Sequence, residues 1–137
     1  MVMGAWGTGA FENDAAWDWS SDLVDSDDLS FVHETLTSVE DAEDDELHAE
    51  LACQAIAACE VVARLQGRAR GSQVEAVDQW VRSHAVKPSA ALVKLATNAL
   101  DRVTSQRSEL AQRWRKEPTW AASMFDLRKR LAGVLPS

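Results

Sequence analysis

"LACQAIAACEVVA", Leu51 to Ala63, contains only two polar residues, Gln54 and Glu60. A helix that is apolar on nearly every side must be covered on every side, so this stretch predicts the central helix of a bundle. Its reach is about Asp44 to Gln66, with Gly67 closing it and "GRARG" (Gly67 to Gly71) forming the next loop. Just upstream, "EDAEDDE" (Glu40 to Glu46) concentrates six carboxylates. Each is favoured by about 0.3–1 kcal/mol near a helix N-terminus, but the six repel one another. Part of the run is therefore expected to be a solvated turn.

The flanking segments read as helices that cover this centre. Glycine and proline are scarce after Gly9, and no β-branched alternation is long enough for a strand. Asn13 is placed to cap a first helix with Ala15, Trp19 and Leu23 on its inner face. Asp14, Asp18 and Asp22 form a neighbouring stripe at four-residue spacing, and Trp17 points nearly opposite Trp19, beside Ser20, Ser21 and Val24. A second helix runs from about Leu29 to Val39. Ser72 to Glu75 forms a capping box for a fourth helix carrying Val74, Val77, Trp80, Val81 and His84.

After "KPS" (Lys87 to Ser89), Leu92, Leu95, Ala99 and Val103 line a fifth helix, with a break expected near Ser105 to Ser108. Pro118 suits the first turn of a last helix, where Trp120, Met124, Leu127, Leu131 and Val134 repeat at four and three. The sum is a single all-α domain over residues 1–137, a bundle of six or seven helices. Residues 1–12 are expected to form a Gly/Trp-rich N-terminal segment packed on the bundle.

The 137 residues are enough to bury one sizeable core. No apolar run approaches the roughly 20 residues of a membrane-spanning helix, and no basic-then-apolar leader opens the chain, so a cytoplasmic location is expected. Cys53 and Cys59 are six apart on one helix and point roughly 120° from each other, which predicts buried thiols rather than a bridge. The net charge of −8 conceals an asymmetry. Residues 1–60 carry sixteen acids and no Lys or Arg, while residues 61–137 carry six acids and fourteen bases, giving −16 and +8. Either acidic and basic faces meet within the fold or are solvated, or an acidic surface receives a basic partner. Nucleic acid is disfavoured, although "RWRK" (Arg113 to Lys116) and "RKR" (Arg128 to Arg130) are short basic clusters.

Met3 to Trp19 reads M-G-A-W-G-x-G-x-F-E-N-D-x-A-x-D-W. This resembles the opening signature of a bacterial family, domain-of-unknown-function family 4259. Looser similarities follow in Glu60 to Ala63 before a Gly-Arg loop, in Pro88-Ser89 before a helix, and in a late Trp. The resemblance implies a bacterial, cytoplasmic protein and makes Met3 the family's usual start. It brings no activity, cofactor or catalytic residue with it.

Several chemistries fail on spacing. Gly4, Gly7 and Gly9 follow no strand, and the first lysine of the chain is Lys87, so neither a dinucleotide fingerprint nor a phosphate loop is present. Acids around that helix start would also repel a phosphate. "MGAWGT" fits an N-myristoylation pattern, but no polybasic patch supplies a second membrane signal. Asp45-x-x-His48 puts a carboxylate and an imidazole on one helix face, as in one half of a di-iron site, yet the duplicate pair is missing. Asp25 to Asp28 lacks the glycine and distal Glu of a calcium loop. Nothing marks a serine or cysteine as an activated nucleophile, and no cofactor is implied.

What remains is a small protein-interaction module that presents an acidic N-terminal surface to another, basic protein, in one concrete form an immunity- or antitoxin-like role. Asp14, Trp17, Asp18 and Asp22 are the candidate contacts, with homo-oligomerisation as a further possibility. The alternative is an enzyme or metal-binding module using clustered carboxylates and His48, with Asp45 beside it.

Overall fold

The computed structural model describes residues 14–41, 48–67, 75–84, 87–105, 108–114 and 117–132. The expectations for Asn13, the N-terminal glycines, the Ser72 capping box and Val134 lie outside the described residues. Seven helices make up the described chain: α1 (Asp14–Val24), α2 (Ser30–Asp41), α3 (Ala49–Leu65), α4 (Glu75–Ser83), α5 (Ala90–Val103), α6 (Glu109–Trp114) and α7 (Pro118–Ala132). Among the described residues there is no strand, so the fold is the all-α bundle that the pattern predicts.

α3 is the axis, packing against all six other helices. Its composition makes that possible. Ala52, Ala55, Ala57, Ala58 and Ala63 are fully buried, and small side chains let neighbouring helix axes come close. Val61 and Val62 on the same helix are fully buried as well. The outer helices then pair around it, α1 with α4, α2 with α5 and α5 with α7.

Side-chain hydrogen bonds fix how the outer helices lean. The Trp19 indole donates to Thr35 Oγ1 at 2.8 Å, joining α1 to α2 inside the core, and stacks on Phe31 at 5.1 Å between centroids. The Trp80 indole donates to the Ser26 carbonyl at 2.9 Å, which ties α4 to the turn between α1 and α2. Buried indoles normally find an acceptor, and both of these do. Trp120 is buried on α7, and Trp114 packs part-buried against the core.

Helix ends follow local chemistry. Ser89 caps α5 by accepting from the Leu92 amide at 3.1 Å. The expected break falls where serine permits it: α5 ends at Val103, and buried Ser108 accepts from the Ala111 amide at 3.2 Å to start α6. Gly67 closes α3 at φ +80°, a left-handed conformation that glycine adopts without a Cβ clash. Pro118 opens α7.

One boundary departs from expectation. α3 begins at Ala49 rather than near Asp44, because His48 is extended at φ −66°, ψ 144°. α2 also runs two residues past Val39, to Asp41.

Candidate functional site

The charge asymmetry resolves at one buried place. Glu60, in the middle of the apolar run, is 4% exposed and meets two guanidinium groups. Arg130 of α7 approaches it in a fork, Nη1 to Oε2 at 2.6 Å and Nη2 to Oε1 at 2.9 Å. Arg64, one turn along α3, places Nε 3.1 Å from Oε2. Each arginine then reaches a second carboxylate: Arg64 Nη1 donates to Asp78 of α4 at 2.8 Å, and Arg130 Nε donates to Asp126 at 2.8 Å. The result is an alternating chain, Asp78–Arg64–Glu60–Arg130–Asp126, that clamps α4 and α7 onto α3.

Burial works against the charge on Arg130. The hydrogen bonds and charge of Glu60, joined by Asp126, outweigh it and hold the guanidinium above its ordinary pKa. Bidentate arginine–carboxylate geometry is the strong form of such a contact. Chemically the cluster is a structural clamp, since its carboxylates are already engaged.

The acids of α1 and α2 behave differently. Asp18, Asp22, Asp25, Glu34 and Glu40 are exposed, and none of them enters an ion pair among the described residues. The bases near the surface meet other groups: Arg82 lies 3.4 Å from Glu75, and Arg128 pairs with Asp101. Acidic and basic halves therefore meet inside the fold at Glu60, while the α1 acids face solvent.

On α1 those acids flank an apolar strip. Trp17 is 47% exposed and Val24 43% exposed, seven residues apart and so on one face, with exposed Ser21 between them. Ser20, expected beside Trp17 on that side, is instead buried, and its hydroxyl donates to the Trp17 carbonyl at 2.6 Å. Asp18 and Asp22 run alongside the strip at four-residue spacing. Asp14 opens the helix, and its side chain lies outside the described part.

The metal alternative finds no gathered constellation among the described residues. His48 is exposed at the start of α3, and Asp45 lies outside the described residues. Among the described residues no three His, Cys, Asp or Glu side chains come together as metal ligands would. His33 sits beside Thr37 on α2, and the His84 ring stacks on Trp80 at 4.3 Å. Cys53 and Cys59 are buried free thiols. Cys59 donates to the Ala96 carbonyl, and burial, aided by the charge of Glu60, pushes its pKa up and away from a reactive thiolate.

Two open concavities flank Lys87. One of about 540 Å³ lies at the end of α3 beside Gly67 and Pro88, and one of about 630 Å³ lies between the starts of α2 and α5 beside Asp28, His33 and Ser89. The sequence pattern missed the buried clamp, although its signals were present: Glu60–Arg64 and Asp126–Arg130 both carry opposite charge at four-residue spacing.

Among the described residues, no helix is long and apolar enough to cross a membrane. No curated protein and no solved structure matches the chain. The family model of DUF4259, a domain of unknown function, matches residues 4–123, and the protein belongs to that family.

Proposed function

We propose that the protein is a cytoplasmic protein-interaction module whose α1 surface binds a basic partner protein, an immunity- or antitoxin-like role being one concrete form. The observation that carries this is the α1 face itself. A large indole stands half-exposed beside Val24, and both are edged by Asp18 and Asp22. Aromatic anchors with a charged rim are a common composition for binding surfaces. Acids with no ion-pair partner among the described residues leave their field available to steer a basic protein into contact. Asp14, the remaining candidate contact, is the first residue of the same helix.

The test is affinity capture from the source cell with the wild-type chain and with W17A/D18N/D22N, at low and at high salt. A partner held by wild type, lost by the triple variant and released by salt supports the reading. An identical set of partners and salt dependence for both chains overturns it.

A further inference from the structure

α7 carries a surface that complements α1. Phe125 is 62% exposed, the most exposed large apolar side chain among the described residues. Lys129 lies over its ring at 4.5 Å from the centroid, and exposed Arg128 sits beside it. Exposed Ala121 and Ala122 occupy the preceding turn, leaving flat apolar ground next to the ring. The single acid of this helix, Asp126, is turned to Arg130, and Arg128 pairs with Asp101 of α5, so Lys129 carries the outward positive charge of α7. α1 shows the reverse, an exposed indole edged by carboxylates with no base on the helix.

We infer that the chain docks onto a second copy of itself, α1 of one copy against α7 of the next. The inference rests on the reading of α1 as a binding surface and names its occupant. Trp17 lies against Ala121 and Phe125, where Lys129 can face an aromatic ring on either side. Asp18 and Asp22 meet Lys129, with Arg128, already paired to Asp101, beside it. Because α1 packs on α3 and α4 while α7 packs on α3 and α5, the two patches lie on different parts of one molecule. Where both α1–α7 pairs form at once the contact closes as a reciprocal dimer, and otherwise each added copy leaves one patch of each kind open for growth into a ring or filament.

Sedimentation velocity of the full chain tests this with two surface variants, W17E and F125E, whose melting curves serve as the control for folding. Wild type is expected to gain mass to a dimer or beyond as concentration rises in about 20 mM salt and to lose that gain in about 0.5 M salt. Each variant alone is expected to stay monomeric. Mixed one to one, they are expected to stop at a dimer, since W17E keeps a working α7 and F125E a working α1. A monomeric wild type, a variant that associates alone as wild type does, or a mixture that stays monomeric while wild type associates would each overturn the pairing. The two readings fail separately. A monomeric wild type whose triple α1 variant still loses a basic partner removes only the self-contact, whereas unchanged capture removes the α1 surface itself.

Discussion

Glu60 and Asp18 are both carboxylates on helices of the acidic half, yet the fold uses them in opposite ways. Glu60 is enclosed by α3 and α7 and held by two guanidinium groups, while Asp18 faces water on α1. Taking a charge out of water is affordable only where hydrogen-bonding partners of opposite sign come with it. Arg64 and Arg130 supply those partners at one place, and the acids of α1 lie away from them. The same residue type is thus a clamp in one region and a solvated surface in the other.

The sharpest way to break the comparison is to delete both carboxylates. Glu60→Ala leaves two buried guanidinium groups facing each other without their shared acid, which is expected to cost about 3–5 kcal/mol in urea unfolding. Asp18→Ala is expected to move stability by no more than about 0.5 kcal/mol. The Glu60 loss should persist at high salt, because buried pairs are screened far less than exposed ones. Equal losses at the two positions would mean that the clamp does not hold α4 and α7.

The same contrast exists between Trp19 and Trp17, two residues apart on α1. Trp19→Phe keeps an aromatic ring against Phe31 but removes the N–H that Thr35 accepts in the core. The expected loss is about 1–3 kcal/mol by denaturant unfolding. Trp17→Phe, at a half-exposed position, is expected to leave the midpoint within about 0.5 kcal/mol of wild type. A larger effect at Trp17 than at Trp19 would reverse the assignment of inner and outer faces.

How far this division was legible follows from where each signal resides. The apolar run of α3, the exit at Gly67, the break at Ser108 and the opposite facing of Trp17 and Trp19 all depend on residues within a turn or two of each other. Local pattern captures such features, and it located them. The partner of Glu60 is seventy positions away at Arg130, and no local period identifies it. A lone Glu inside an apolar run signals that a base must arrive, but not which of fourteen Lys and Arg residues it is. The start of α3 is set at Ala49 by the extended backbone of His48, which the acid run before it does not signal. The α1 surface was legible as a pattern of residue types, while its exposure depended on which helices pack beside it.

Caps extend the comparison to smaller energies. Ser108 is fully buried and its hydroxyl accepts the Ala111 amide, so Ser108→Ala leaves that amide without its acceptor inside the fold. About 1 kcal/mol is the expected loss, read from the unfolding midpoint. Ser89, exposed at the start of α5, makes the same contact with Leu92, but water can replace it there. Ser89→Ala is therefore expected to cost less than Ser108→Ala.

The smallest expected effect is at Asp28, fully exposed at the start of α2. Its carboxylate accepts the Ser30 amide at 2.9 Å, and that backbone bond, aided by the Ser30 hydroxyl, holds its pKa below the ordinary 3.8. The sign follows from linkage. A carboxyl whose folded pKa is depressed adds stability that is fully present above the unfolded pKa and is lost as pH falls through the folded value. Wild type should thus be slightly more stable than Asp28→Asn at neutral pH, and the difference should shrink as the pH is lowered from about 5 toward 2. Paired urea titrations of the two chains across that window give the difference directly. A difference that stays constant, or grows toward acid, would mean that the ionised carboxylate is not what caps α2. Exposure would still keep the effect small, because water competes for the same amide throughout.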